Sequence, residues 1–199
     1  GISYIDKNNQ PHSCYETSWG WSTRSIGALI MVHGDDDGLV LPPRVAPVEC
    51  RVIPIAQHKE GVLEKAEEIL ATLKAAGYRV DIDDSEKSPG WKFSEQEIVG
   101  IPTRIEIGPK DLENNQVVVV RRDTREKIVV SIDNIATELR TILETIQKDM
   151  YDKAKAFLDS HIYEATTLEE MVEKFKTDRG LIKACWCGDE ECEGEIKYA

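Results

Sequence analysis

The sequence contains no apolar run approaching the roughly 20 residues needed to span a bilayer, because Lys and Glu interrupt every long stretch. It also shows no charged-then-apolar leader, so nothing in it argues for secretion, and a cytoplasmic protein without a membrane partner is expected. Cysteine is sparse: five residues, an odd number, which suits thiols or a metal better than a disulfide framework. Positive charge is short as well, with 25 Lys and Arg against 37 Asp and Glu and a net charge of −12. Whole-molecule attraction to a polyanion is therefore absent. RNA would need a local basic patch, and DNA is not an expected partner. The deficit is spread fairly evenly: residues 1–50 carry 3 basic and 6 acidic groups, 51–150 carry 15 and 19, and 151–199 carry 7 and 12. No internal repeat or low-complexity tract appears. What the chain does have is 41% hydrophobic and 31% charged residues over 199 positions, enough for one or two compact soluble domains.

Residues 15–47 hold the most informative pattern. Ser22 and Thr23 are placed to cap a helix running through Ile26, Ala28, Leu29, Ile30 and Val32. Arg24 falls in the first turn, where the partial positive charge of a helix start disfavours a cation. Such a cation is useful there if an anion such as a nucleotide phosphate is to be bound. Gly34 stops the helix and the acidic turn Asp35-Asp36-Asp37-Gly38 follows. Leu39-Val40-Leu41 then reads as a short buried strand ending at Pro42-Pro43. Periodicity alone favours a buried core helix followed by a turn. The wording of the segment, SWGWSTRSIGALIMVHGDDDGLVLPPRVAP, resembles motif 3 and its exit in class II prolyl-tRNA synthetases of the archaeal and eukaryotic type. The resemblance implies that Ser22 and Arg24 hold ATP, with Arg24 as a catalytic residue that stabilises charge as pyrophosphate leaves. It also implies that Ser18, Trp19 and Gly20 form the strand lining a proline and adenylate pocket, although core packing serves Trp19 equally well. Trp21 has no functional reading. His12 and His33, with no placed partner, read as structural.

Pro42-Pro43 to Pro47 marks a break, after which strands and helices alternate. Arg51–Ile55 reads as a strand in which Pro54 is awkward away from an edge or bulge. Residues 61–76 read as an amphipathic helix with Val62, Ala66, Ile69, Leu70 and Leu73 on one face and Gly77 as its stop. Tyr78 to Asp84 alternates like a strand, a short helix follows Ser88-Pro89-Gly90, and Thr103 to Ile107 is a further strand. The continuous apolar runs at Val117–Val120 and Ile128–Val130 suit central strands covered on both faces. A helix over 134–149 carries Ile135, Leu139, Ile142, Leu143 and Ile146. This order predicts an α/β fold with a mixed sheet covered by helices, over residues 48–150. The last segment, 151–199, starts with more helix. A second helix over 166–176 is capped by Thr167, with Leu168, Met171, Val172 and Phe175 inward, and leads to a cysteine cluster. The resemblance makes residues 1–47 a remnant of an antiparallel class II catalytic sheet. It makes 48–150 an anticodon-binding domain of class IIa type, and 151–199 a small α+β zinc-binding-like domain.

Within the middle segment, Ile105 and Ile107 share one side of their strand, so Arg104 and Glu106 point the other way, toward solvent or a ligand. An arginine held on a strand presents a planar fork to a guanine edge or a phosphate. A carboxylate such as Glu97 or Asp111 accepts the N1 and N2 protons of guanine. Other readings stand beside this one. Ser94-Glu95-Gln96-Glu97 forms a capping box with Phe93 and Ile98 as a hydrophobic staple, which makes Glu97 a helix cap. Gly108-Pro109-Lys110-Asp111 is an ordinary turn. The stretch SPGWKFSEQEIVGIPTRIEIGPKDLE at 88–113 resembles the anticodon-binding domain of the same family, with Gln96 in place of the usual tryptophan. VVVVRRDTREK at 117–127 resembles its next segment, with Arg125 in place of a glycine. The resemblance implies that Glu97, Arg104, Lys110 and Asp111 read the two guanines of a proline anticodon, with Lys127, Arg121 and Arg122 as weaker phosphate contacts.

Cys185, Cys187 and Cys192 fall within eight residues, a bunching typical of zinc ligation, though C-x-C and C-x4-C are not the strong CxxC pattern. The resemblance pairs Cys187 with Cys192 in a zinc-binding domain whose second cysteine pair does not appear before Ala199, and Cys185 is a third candidate ligand. Cys14 and Cys50 read as plain buried thiols. A cysteine-based redox function is disfavoured, since no basic group neighbours the cluster. As implied by the family, the intact enzyme is a homodimer that uses ATP and Mg2+ to attach L-proline to tRNA(Pro). Motifs 1 and 2 and the proline-recognition segments are not among these residues. Residues 1–199 are therefore expected to be inactive alone, and isolated residues 1–47 to expose apolar surface and aggregate. The competing reading is a free-standing anticodon-type RNA-binding module without catalysis.

Overall fold

A computed structural model describes residues 2–198. At the N-terminus β1 (Ser3–Ile5) and β2 (Pro11–Ser13) form an antiparallel hairpin. Asp6 holds its turn by accepting from the backbone N–H groups of Asn8 and Gln10, and His12 finds a partner in Asp6 at 3.2 Å. Residues 14–22 then run without regular structure, so the strand expected at Ser18, Trp19 and Gly20 does not form among the described residues. Helix α1 (Arg24–His33) starts and stops where the capping pattern places it, with Thr23 at the N-cap and the Gly34 N–H bonded to the Ile30 carbonyl at 2.8 Å. Trp19, Trp21, Ile26, Met31 and Val32 are all exposed, as expected of a surface that needs more chain to cover it.

The centre is a five-stranded mixed sheet built from β3 (Cys50–Pro54), β4 (Val80–Ile82), β5 (Thr103–Ile107), β6 (Gln116–Arg121) and β7 (Lys127–Ser131). Their spatial order is β4-β3-β5-β6-β7, the first three parallel and the last two antiparallel. The connecting helices are α2 (Val62–Ala75), α3 (Pro89–Val99), the short α4 (Pro109–Glu113) and α5 (Ile135–Ser160). Cys50, Val52, Ile105, Ile107, Val117 and Val119 on one sheet face pack against Ala66, Ile69 and Leu73 of α2 and Leu139, Leu143 and Ile146 of α5. Each of the larger side chains contributes about 1.5–3 kcal/mol by leaving water.

Several sequence expectations shift for identifiable reasons. Pro54 sits in an interior strand rather than at an edge. It is tolerated because β4 pairs only as far as Val52, so its missing N–H faces no neighbour on that side. The strand expected over 78–84 shrinks to three residues. Leu39-Val40-Leu41 is extended but joins no sheet. Its N–H groups at Leu39 and Leu41 bond the carbonyls of Ile98 and Gly100. The β7 run is an edge strand, and Val129 is 62% exposed, because an apolar run alone does not say which strands have two neighbours. Helix α5 continues unbroken through residue 150, so the expected domain limit there lies inside a helix.

The proline link is clasped rather than loose. Arg79 donates to the carbonyls of Ala46 and Pro43 at 3.0 and 2.7 Å and pairs with Glu49 at 3.0 Å. Beyond α5, β8 (Ile162–Glu164) pairs in parallel with β9 (Leu181–Lys183), flanked by α6 (Leu168–Thr177) and α7 (Glu190–Tyr198). Thr167 caps α6 as expected, accepting from the Glu170 N–H at 3.2 Å. Met171 is buried, but Phe175 and Leu168 are exposed, against the inward placement that their spacing predicts. The small segment has too little structure on that side to cover them.

Candidate nucleic-acid interface

The sheet face opposite the α2–α5 core carries Arg51 and Ile53 of β3, Arg104 and Glu106 of β5, Val118 and Val120 of β6, and Lys127 and Val129 of β7. Helix α3 lies over its β3 side and leaves the β7 side open. Of the two directions left open for Arg104 and Glu106, solvent or a ligand, this cover removes the first: they are 7% and 6% exposed. A strand with neighbours on both sides and helices on both faces has no solvent side.

Burial of a charge requires partners, and Arg104 has them. Its Nε donates to Glu106 at 2.8 Å, and one Nη donates to Gln96 at 3.0 Å and to Glu97 at 2.9 Å. The guanidinium stacks on Phe93, 4.4 Å from the ring centroid. Its other Nη is engaged by none of these groups. Lys127, largely exposed, sits 3.7 Å from Glu106. Glu97 is partly exposed, and one oxygen is committed to Arg104. The cluster thus offers one carboxylate oxygen, one guanidinium edge, a flat aromatic ring and a mobile cation. That set suits a base carrying adjacent N–H donors and a carbonyl acceptor, as guanine does. The half-exposed Val118 and Val129 extend an apolar floor beside it.

Helix α3 explains why Phe93, Gln96 and Glu97 converge. Ser88, not Ser94, is its N-cap, accepting from the Trp91 N–H with Pro89 in the first turn. The capping-box reading of Ser94 to Glu97 is thereby overturned, because that tetrapeptide lies inside the helix. Phe93 and Glu97 fall four residues apart on one face. Gln96, fully buried, accepts from Arg104 and donates to the Ile101 carbonyl, so it acts as a structural bridge. Sequence reasoning missed Phe93 as a member of the site, and noted Glu106 and Gln96 without giving them a role in it. The signal was the helix following Ser88-Pro89-Gly90, which sets Phe93 and Glu97 on one face, and the capping-box reading of Ser94 to Glu97 obscured it.

The other expected positions are placed differently. Lys110 and Asp111 lie on α4, past the far end of β5, with no hydrogen bond or ion pair to Arg104 or Glu97. Asp111 accepts from the Gly108 N–H at 2.9 Å and so caps its own helix, while Lys110 is exposed. Arg121 and Arg122 are not available as phosphate contacts. Arg121 is held by Asp123 and Asp149, each at 2.7 Å, which push its guanidinium further above its ordinary range, and Arg122 is 1% exposed and fully paired. At the N-terminal segment, Ser18, Trp19, Gly20, Ser22 and Arg24 are all exposed. Arg24 occupies the first position of α1, where Thr23 makes no side-chain cap. The Ser25 and Ile26 N–H groups are taken by the Ser22 and Thr23 carbonyls at 3.1 and 3.0 Å, so what this turn presents to an anion is chiefly the exposed Arg24 cation.

The cysteines do not complete a metal site. Cys185, Cys187 and Cys192 are exposed, and among the described residues no three His, Cys, Asp or Glu side chains are placed to share an ion. Among the described residues the thiols of Cys187 and Cys192 adjoin each other, and no third and fourth donor is placed with them. The Asp189 N–H, aided by the Cys192 thiol, holds the Cys187 thiol below its ordinary value. Cys14 is exposed, contrary to expectation, whereas Cys50 is buried and desolvation pushes its thiol up to about 12. An aromatic disulfide reagent at mild alkaline pH is expected to titrate four thiols in the native chain and the fifth only in denaturant. Five fast native thiols would contradict the placement of Cys50.

Comparison with known proteins accords with this geometry. A match to the anticodon binding domain family spans residues 49–142, which takes in β3 through the first two turns of α5 and every residue of the Arg104 cluster. Over 197 residues the chain is 58% identical to proline–tRNA ligase of Lachnospira eligens and 59% identical to that of Agathobacter rectalis. Over 196 residues it is 53% identical to proline–tRNA ligase 2 of Bacillus cereus. These alignments cover 98–99% of the chain but only 41% of each relative, so the chain spans about two fifths of the length of the curated relatives it matches. The chain is therefore similar to proline–tRNA ligases along nearly its whole length, with a match to the anticodon binding domain at its centre.

Proposed function

We propose that this chain supplies anticodon recognition and the motif 3 arginine to a class II prolyl-tRNA synthetase. The intact protein attaches L-proline to tRNA(Pro) in two steps, through prolyl-adenylate, with ATP as co-substrate and Mg2+ as its counterion. It works as a cytoplasmic homodimer whose contacts lie in the part of the catalytic domain outside these residues. The observation that carries the reading is the buried Phe93–Gln96–Glu97–Arg104–Glu106 cluster at the centre of the matched anticodon binding domain. Glu97 accepts the N1 and N2 protons of an anticodon guanine, and Arg104, held flat on Phe93, donates toward the carbonyl edge. Lys127 and Lys110 follow the adjoining phosphates, and Asp111 shapes the turn that presents Lys110. Ser22 and Arg24 meet the ATP phosphates at the start of α1. The Arg24 charge lowers the barrier as pyrophosphate departs. Retention of an ATP-side arginine favours this reading over a free-standing RNA binder, which gains nothing from it.

The test is binding of the 199-residue chain to anticodon stem-loops. A loop with the GG-containing proline anticodon is expected to bind more tightly than loops in which either guanine is replaced. Glu97→Gln is expected to erase about 1–3 kcal/mol of that preference while leaving general RNA affinity nearly intact. Equal affinity for all loops in the parent chain would refute the assignment.

A further inference from the structure

The C-terminal end of α3 is held partly by residues outside the matched domain, Leu39 directly and Asp35 through Arg122. The last carbonyls of a helix have no partner within it, and they draw donors and cations. In α3 the Ile98 carbonyl accepts the Leu39 N–H at 3.0 Å, and the Glu97 carbonyl accepts Arg122 Nε at 3.0 Å. The two Nη groups of Arg122 are then taken bidentately by Asp35, at 2.8 and 2.6 Å. All three guanidinium nitrogens are thus spent on two points, one being the backbone of the residue whose carboxylate faces Arg104. The fit of the two backbones is close. A Cβ on Gly38 would lie 2.6 Å from the Ile98 Cα and 3.1 Å from the Glu97 carbonyl oxygen.

We infer that Asp35 and Arg122 are positioning residues for base recognition: the acidic turn leaving α1 sets the place of the Glu97 carboxylate through Arg122. This inference rests on the proposed role of Glu97 and Arg104. It assigns a specificity function to a turn that lies before residue 49, and so beyond the matched domain. At Asp35 the Arg122 hydrogen bonds outweigh desolvation and hold its carboxyl below the usual carboxylate range. The joint is therefore intact at neutral pH and is released only as pH falls below the ordinary aspartate value.

The experiment measures the ratio of affinities for the proline anticodon loop and a guanine-replaced loop, in the full 199-residue chain. Asp35→Asn and Arg122→Lys are expected to lower that ratio roughly two- to thirtyfold. Arg125→Ala, which removes the neighbouring exposed contact to Asp37, should keep the parent ratio. In a Glu97→Gln background, Asp35→Asn should have no further effect on the ratio. Amide exchange at residues 97–101 reports the loosening independently and is expected to accelerate in Asp35→Asn. A purely structural role would lower the melting temperature, or weaken all loops equally, and leave the ratio unchanged; that result in both variants overturns the inference. If the parent chain itself shows no preference, the reading of the Glu97–Arg104 site falls, and this inference with it. A parent preference retained in both variants defeats only the inference.

Discussion

Replacing Arg104 by alanine is expected to destabilise the chain by about 3–5 kcal/mol, because it strips a buried carboxylate of its counter-charge. Glu106, 8% exposed at its side chain, would lose its strong donor and keep only the distant Lys127, and Gln96 would keep a buried unpaired oxygen. The Glu97 contact is partly solvated and contributes less. For a chain of this size that loss lowers the thermal midpoint by about 10 °C or more, which a denaturation scan checks directly. An alanine variant that melts with the parent would show that the network adds nothing to stability. The same burial complicates any binding test of Arg104→Ala, since lost affinity would mix misfolding with lost recognition. Arg104→Lys separates the two. It keeps the charge near Glu106 but loses the planar fork and the stack on Phe93. It is expected to cost only about 1–2 kcal/mol in stability while removing most of the guanine preference.

Gly100→Ala should rank next in effect. Gly100 ends α3 in the left-handed region, at φ +74°, and an added Cβ would stand 2.5 Å from the Leu39 Cβ and 2.7 Å from its carbonyl carbon and oxygen. Backbone on the far side of the clash cannot yield as a side-chain tip does, so left-handed strain and overpacking act together. A loss of about 2–4 kcal/mol follows, with release of the 35–41 turn from α3. Limited proteolysis between residues 34 and 47 reads that release. Gly90→Ala is the contrasting case. It lies in the first turn of the same helix with nothing within 4 Å of its Cβ, and it is expected to be neutral or to stabilise by up to about 1 kcal/mol. Equal melting of the two variants would contradict the close approach of Leu39.

The elements whose signals are local were legible in the sequence. Helix α2 follows from its apolar spacing and Gly77, α1 from its span between Thr23 and Gly34, and β5 from alternation around Ile105 and Ile107. The joining of Glu97 to Arg104 was anticipated from the wording of the segment, whereas the parts played by Phe93, Gln96 and Glu106 were hidden, the first two by the reading of Ser94 to Glu97 as a capping box. Ser88 and Ser94 both offer a hydroxyl three residues before a suitable N–H, and only the packed sheet selects between them.

What the sequence determined alone is the α/β alternation, the kinship with proline–tRNA ligases, and the residue types that chemistry at a guanine or a phosphate needs. What the tertiary structure decided is where those residues stand. Strand order made β7 an edge and buried β5 on both faces, and that burial turned Arg104 from a surface cation into the hub of a paired network. It also spent Arg122 on Asp35, 87 positions away. Periodicity reports the faces of one element, whereas the environment of a charge depends on which distant elements cover it.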